Sequence, residues 1–247
     1  MTIPIIILNW NGIEDTIACI DSVMQQTYAS FEIYLVDNGS ESEEVARLKS
    51  LYGNMDKIHL ICNPTNLGFA QGNNEVMTSI LKGNEVPKYI ALLNNDTEVE
   101  PTWLEELIAT ANSQNASMVS SKLVNFFDRS VMDNAGHLMM NTGEIIPVGS
   151  NEPVENHCKI KENIGACGGA ALYATDMLEN IGLFDDFFKT GYEDAELGLR
   201  AHLLGYKTVY APKAIVYHKV SQSIKKIFDY DFVLKSRVDV FLSLIHI

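Results

Sequence analysis

The chain of 247 residues reads as an α/β protein built on a single open, mostly parallel (mixed) central sheet with helices on both faces. Three observations carry that reading. Short apolar runs rich in β-branched residues recur through the first half, beginning with Ile3-Pro4-Ile5-Ile6-Ile7-Leu8, and mark strands buried on both faces. Stretches with apolar residues at helical spacing alternate with those runs, over connections long enough for crossovers. Hydrophobic residues make up 47% and charged residues 20%, the balance of an ordinary globular protein with ample core.

Taken in order, the first run ends at Asn9-Trp10-Asn11-Gly12, and a helix fits residues 14–26 with Ile17, Ile20, Val23 and Met24 on one face. Phe31-Glu32-Ile33-Tyr34-Leu35-Val36 forms the second strand and stops at Asp37-Asn38-Gly39-Ser40. A helix over 43–52, a strand at Ile58-His59-Leu60-Ile61, a helix over 72–81 and a strand at Tyr89-Ile90-Ala91-Leu92-Leu93 follow. Pro101 suits the first position of a helix running to about residue 112. Residues 117–165 are broken by Asn, Gly, Pro and Asp, which predicts small strands and long loops. Helices resume over 175–181 and 194–204, and Thr208-Val209-Tyr210 fits a strand. Residues 227–247 return to helical spacing and end in an apolar segment that needs a partner surface, so a homodimer contact is one expectation.

Charge and cysteine usage exclude several classes. A net charge of −14 argues against a nucleic-acid polymer as partner. Cys19, Cys62, Cys158 and Cys167 form no Cys-x-x-Cys pair, so neither a zinc site nor a disulfide framework is expected. No apolar run reaches bilayer length, and the N-terminus lacks the basic start of a signal peptide, which predicts cytoplasmic residence. From Lys207 to Arg237, however, seven basic residues face two acidic ones. Such a stretch is either a solvated face or a surface for anionic headgroups at the inner face of the membrane, or for a diphosphate-bearing ligand.

In an open parallel sheet, ligands bind beyond the carboxyl ends of the strands. Those ends collect Asn9 and Asn11, Asp37 and Asn38, Asn63 and Asn66, and Asn94 and Asp96. A turn needs one such residue, and each of these ends carries two. A carboxylate at Asp37 can accept the imide N–H of a pyrimidine base. The Gly-rich stretch from Asn66 through Gly68 to Asn74 precedes a helix and lets backbone approach a phosphate. Asp96 is the natural ligand for Mg2+ or Mn2+ shared with substrate phosphates, and His218 has the chemistry to complete the shell. Glu193 and Asp194 stand at or just before a helix N-terminus, where carboxylates are favoured and a general base is well placed.

The ordered set of motifs resembles the family 2 glycosyltransferases of GT-A fold, within them a bacterial rhamnosyltransferase-like subgroup. It runs through Ile6-Ile7-Leu8-Asn9-Trp10-Asn11-Gly12, Val36-Asp37-Asn38-Gly39-Ser40, Asn66-Leu67-Gly68-Phe69-Ala70 and Leu92-Leu93-Asn94-Asn95-Asp96-Thr97. It continues through Ile181-Gly182-Leu183-Phe184-Asp185, Phe188, Tyr192-Glu193-Asp194-Ala195-Glu196-Leu197 and Arg200 to Tyr217-His218. The resemblance implies a GT-A domain over 1–225, with a nucleotide-sugar half (1–115) and an acceptor half (116–225), followed by a helical tail (226–247). It implies that Asn9, Asn11, Asp37, Asn38, Asn66, Gly68, Asn74, Asn94 and Asn95 hold a dTDP- or UDP-linked sugar, with Asp37 on the base. Asp96 then ligates the metal, His218 reaches it, and Asn94 replaces the first acid of the usual Asp-x-Asp. Asp194 is the implied base with Glu193 as its fallback, and Gly168-Gly169-Ala170 forms an acceptor wall. The implied reaction is inverting transfer of a sugar, rhamnose in that subgroup, to a glycan or lipid-linked acceptor in cell-surface polysaccharide synthesis. Two other readings are a sugar nucleotidyltransferase, which wants a cation-bearing loop after the first strand, and a non-catalytic glycan- or nucleotide-binding module.

Overall fold

The computed structural model describes residues 2–188 and 190–219. The expected helical tail and the basic residues beyond Lys219 lie outside them. Within the described residues the first half alternates as its periodicity predicts: β1 (Ile3–Asn9), α1 (Ile13–Val23), β2 (Phe31–Asn38), α2 (Ser42–Tyr52), β3 (Ile58–Asn63), α3 (Gly68–Leu81) and β4 (Tyr89–Asn94). β1 pairs in parallel with β2 and β4, and β2 with β3, so all four carboxyl ends open on one edge. Consecutive Ile5, Ile6 and Ile7 are each buried, because both faces of β1 are covered.

The second half continues the same sheet. It comprises β5 (Thr97–Val99), α4 (Trp103–Gln114), β6 (Met118–Asn125), β7 (Met132–Asn134), β8 (His137–Met139), β9 (Ile145–Pro147), β10 (Lys161–Asn163), β11 (Ala170–Ala174), α5 (Thr175–Ile181), α6 (Glu193–Leu203) and β12 (Thr208–His218). The sheet order is β10-β12-β6-β11-β4-β1-β2-β3, with β5 added to β12 and β7 to β6; β8 and β9 form a separate pair. β11 runs antiparallel to both β4 and β6, and β12 runs parallel to β6. β12 therefore points the same way as β4, and His218 at its end reaches the edge where β4 ends.

Three strands exceed what the pattern predicts. Seven of the eight residues of β6 are buried, although Ser120, Ser121 and Lys122 interrupt its apolar run. Their polar atoms are satisfied inside: Ser121 Oγ accepts from Trp103 Nε1 at 2.9 Å, and Lys122 Nζ donates to the Val154 carbonyl at 3.0 Å. β11 is built largely from alanine, which gives no periodicity to read. β12 runs for eleven residues through Pro212, because a register shift between Tyr210 and Ile215 removes the need for a proline N–H. α3 begins at Gly68, four residues ahead of the expected start at 72.

α6 lies close against the loop before β11. Gly198 makes this possible: a Cβ there would stand 2.5 Å from Gly165 Cα. Arg200 fixes the other side of the helix, pairing with Glu196 and donating to the carbonyls of Ile181 and Leu183 at 2.7 and 2.8 Å.

Candidate active site

A cleft of about 220 Å³ opens at the carboxyl edge of the sheet, lined by Asn9, Trp10, Asn11, Gly12, Asp15, Asn38, Asn66, Gly68, Phe69, Asn94, Asn95, Asp96 and Thr190, with Leu8 at its floor. Eight of the sequence-predicted residues, Asn9, Asn11, Asn38, Asn66, Gly68, Asn94, Asn95 and Asp96, thus share one cavity. Much of their polarity is spent on one another. Asn9 is fully buried; its Nδ2 donates to Asp37, Ser40 and Glu44, and its Oδ1 accepts from Thr16 Oγ1 at 2.7 Å. Asn38 donates to Asn66 Oδ1 and the Gly68 carbonyl, and accepts from Asn63 and the Leu67 N–H. Asn95 Nδ2 donates to Thr16 Oγ1 at 2.9 Å. Asn11 adopts a left-handed φ of 50° and accepts from the Glu41 N–H. These side chains lock four strand-end loops together. The first turn of α3 carries no acidic side chain and its N-terminal end faces the cleft, leaving a positive helix end there.

Five expected site residues, Asp37, Asn74, Glu193, Asp194 and His218, are not among those that line the cleft. Asp37 has no exposed surface, and its oxygens accept from Asn9 Nδ2 at 3.0 Å and Ser40 N at 3.2 Å. It braces the β2–α2 turn from beneath instead of facing a base. Asn74 donates to the Phe184 carbonyl and Asp186, and accepts from the Phe184 N–H, pinning the 184–186 segment to α3. Glu193 is buried, with Oε2 lacking any partner. Burial, reinforced by the neighbouring Asp194 carboxylate, pushes its pKa up to about 8. It holds a proton at neutral pH, the wrong state for a base.

Asp194 differs from its neighbour. Its side chain retains 16% exposure, and its oxygens accept from the Gly168 N–H at 2.7 Å and the Ala195 N–H at 2.8 Å, each with a lone pair to spare. The glycine pair connects it to the cleft. A Cβ at Gly168 would meet Asp194 Cβ at 3.2 Å and the cleft-lining Phe69 at 3.4 Å, and one at Gly169 would meet Asn94 Nδ2 at 3.3 Å. The Asn94 N–H donates to the Gly169 carbonyl at 2.8 Å. His137 Nε2 stands 3.8 Å from Asp194 Oδ2.

Behind the cleft-lining Asp96, His218 Nε2 lies 3.3 Å from Asp96 Oδ1 without forming an aligned hydrogen bond, and its Nδ1 lies 2.7 Å from Asp133 Oδ2. Burial alone would lower the His218 pKa, but the Asp133 and Asp96 carboxylates override it and raise it to about 10. Among the described residues no group of three or more His, Cys, Asp or Glu could hold a metal ion by itself, so Asp96 and His218 would supply two donors and leave the other positions to substrate phosphate and water. Adjacent ligands with bonds of about 2.1 Å stand about 3 Å apart, close to the separation of the carboxylate oxygen and the unpartnered ring nitrogen. The last β12 bond, Lys219 N–H to the Asp96 carbonyl at 2.9 Å, holds the two residues together. Lys219 Nζ pairs with Asp15 at 2.8 Å, and Lys207 pairs with Glu162 at 2.9 Å, so these members of the basic stretch face acidic partners of the same chain. Asp133 and His137 escaped sequence reasoning, since neither sits in a periodic segment.

Among the described residues no helix is long and apolar enough to cross a membrane. Over 213 residues the chain is 26% identical to the O-antigen biosynthesis protein RfbC of Myxococcus xanthus, covering 83% of this chain and 16% of that one. It is 25% identical over 229 residues to the amylovoran biosynthesis glycosyltransferase AmsB of Erwinia amylovora, covering 90% and 71%. It spans 23% of another relative, the uncharacterized protein y4gI of Sinorhizobium fredii, so it matches only a fraction of some curated relatives. Among solved structures, GalNAc-T7 with UDP, GalNAc and Mn2+ superposes with a TM-score of 0.70 at 16% identity, over 88% of this chain and 44% of that one. The mannosyltransferase PcManGT from Pyrobaculum calidifontis, in complex with GDP-Man and Mn2+, gives 0.63 at 14% identity, over 90% and 57%. The fold is GT-A. The profile of glycosyl transferase family 2 matches residues 5–182, and the chain belongs to that family.

Proposed function

We propose that this chain transfers a sugar from a nucleoside diphosphate sugar to a hydroxyl of a glycan or lipid-linked acceptor during cell-surface polysaccharide synthesis, with inversion at the anomeric carbon. The observation that carries this reading is the glycine bridge. Gly168 touches the Asp194 carboxylate and Gly169 touches Asn94, so two adjacent glycines link the partly buried acid to the end of β4, two residues before Asp96. Names of relatives in O-antigen and amylovoran biosynthesis support the polysaccharide context.

In this reading the diphosphate lies in the cleft against the N-terminal end of α3, and Asp96 and His218 are the residues that would hold a divalent ion, Mg2+ or Mn2+. The ion, when bound, neutralises charge that develops on the leaving diphosphate. Asp194 takes the proton of the attacking acceptor hydroxyl as the new glycosidic bond forms and the bond to the diphosphate breaks. Glu193 stays protonated beneath it and leaves Asp194 as the single base. The small residues Gly168, Gly169 and Ala170 leave room for the acceptor sugar. A nucleoside diphosphate rhamnose carried on dTDP is the finer donor assignment, resting on motif resemblance.

The test is Asp194→Asn. Transfer should fall by about 100-fold or more, in line with loss of a general base, while the nucleoside diphosphate still raises the melting temperature. Wild-type transfer rates in the variant would overturn the base assignment. A panel of dTDP-, UDP- and GDP-sugars, read by nucleoside diphosphate release, identifies the donor. Absence of release with every donor and acceptor tried would favour a non-catalytic binding module.

A further inference from the structure

β7 joins β6 with a fault in its ladder. Leu123 pairs with Asn134 and the next residue, Val124, with Met132, so Asp133 is the extra residue of a β-bulge. A bulge turns a side chain out of the regular alternation, and here Asp133 Oδ2 is brought within 2.7 Å of His218 Nδ1. The backbone on either side is held firmly. The Met132 N–H donates to the Glu152 carbonyl, Ala135 N–H to Val148, and His137 N–H to Gly165, each at 2.8–2.9 Å. Gly136, at φ +108°, leaves no space for a side chain, since a Cβ would stand 2.2 Å from Asn163 Nδ2.

We propose that Asp133 is a positioning residue that makes His218 a metal ligand. This inference rests on the reading of Asp96 and His218 as the metal pair. A carboxylate only accepts hydrogen bonds, so the ring proton facing Asp133 sits on Nδ1. The second nitrogen, Nε2, is then the one that can offer a lone pair, and it is the buried atom without a hydrogen-bond partner beside Asp96. When an ion is bound the second ring proton is lost, and the Nε2 lone pair and Asp96 Oδ1, 3.3 Å apart, would both face it. A carboxylate behind the ligating imidazole fixes its tautomer and orientation and increases its basicity.

Mn2+ binding to the full chain, read by electron paramagnetic resonance of the free ion, tests this without catalysis. Asp133→Asn, nearly the same in shape, should weaken Mn2+ binding about 10- to 100-fold. His218→Ala should weaken it at least as much. If His218→Ala weakens binding and Asp133→Asn binds as wild type does, the proposal is wrong. If His218→Ala binds as wild type does, the metal-pair reading itself fails and takes the proposal with it. A measurement free of substitutions covers the case in which Asp133→Asn folds poorly. In wild type loaded with diamagnetic Zn2+, the ¹⁵N spectrum of His218 should show the proton on Nδ1, and a proton on Nε2 would overturn the assignment.

Discussion

Adjacent carboxylates on one helix turn have opposite chemical fates here, and burial separates them. Glu193 points into the protein with an unpartnered oxygen, while Asp194 turns toward Gly168 and keeps some exposure. The elevated Glu193 pKa has a thermodynamic consequence. Below the ordinary carboxylate value of 4.5 the group is protonated whether the chain is folded or not. Between there and about 8 the unfolded chain gives up a proton that the native protein keeps, so rising pH favours unfolding. The contribution is about 1.4 kcal/mol per pH unit across that window. Glu193→Gln abolishes this slope, so the variant should gain stability relative to wild type between pH 5 and pH 7.5 in urea titrations. An equal difference at both pH values would show that Glu193 is ionised in the folded protein. At this scale, the sequence exposes Asp96, Asp194 and His218 because each stands next to the end of a well-patterned strand or helix. Asp133 and His137 were hidden, since a bulge and a three-residue strand leave no periodic trace. Asp37 and Asn74 have side chains of the right type at strand and helix ends, but neighbours that sequence cannot reveal claim them.

Elements were legible where burial repeats in short order and illegible where tertiary partners satisfy polar atoms. β1 to β4 announce themselves as apolar runs. β6 conceals its burial behind two serines and a lysine, and β11 behind alanines, because only the assembled sheet supplies their partners. The packing of α6 against the loop before β11 belongs to the same class, since a helical glycine ordinarily reads as a weak point. Here it is a contact surface. Gly198→Ala would push a methyl group to 2.5 Å from Gly165 Cα, backbone against backbone, with no flexible side chain to give way. Overpacking of this kind costs about 1–3 kcal/mol, despite the better helix propensity of alanine. Because α6 also carries Asp194, its retreat should stretch the 2.7 Å bond from the Gly168 N–H. The urea midpoint should therefore drop and transfer should slow in the same variant. A variant as stable as wild type would mean that the helix and loop separate freely.

Across the whole molecule, one sheet joins the half proposed to hold the nucleotide to the half that carries Asp194, the proposed base. β11 returns from the second half to pair with β4, and β12 brings His218 back to the edge where Asp96 sits. The candidate metal pair therefore draws one residue from each half of the chain, and its geometry exists only in the folded state. Ligands confined to the native state raise stability by mass action. A nucleoside diphosphate at about one hundred times its dissociation constant contributes about 2.7 kcal/mol, which in a protein of this size corresponds to a melting-temperature rise of about 5–10 °C. That rise should depend on Mn2+, because the ion and the diphosphate share one site in the proposed arrangement. Asp96→Ala should remove the dependence on Mn2+ while retaining a smaller shift from contacts at the N-terminal end of α3. The comparison is a thermal scan with nucleoside diphosphate, with and without Mn2+, in wild type and variant. Identical Mn2+ dependence in both proteins would place the ion away from Asp96 and dissolve the link between the two halves on which the proposed chemistry depends.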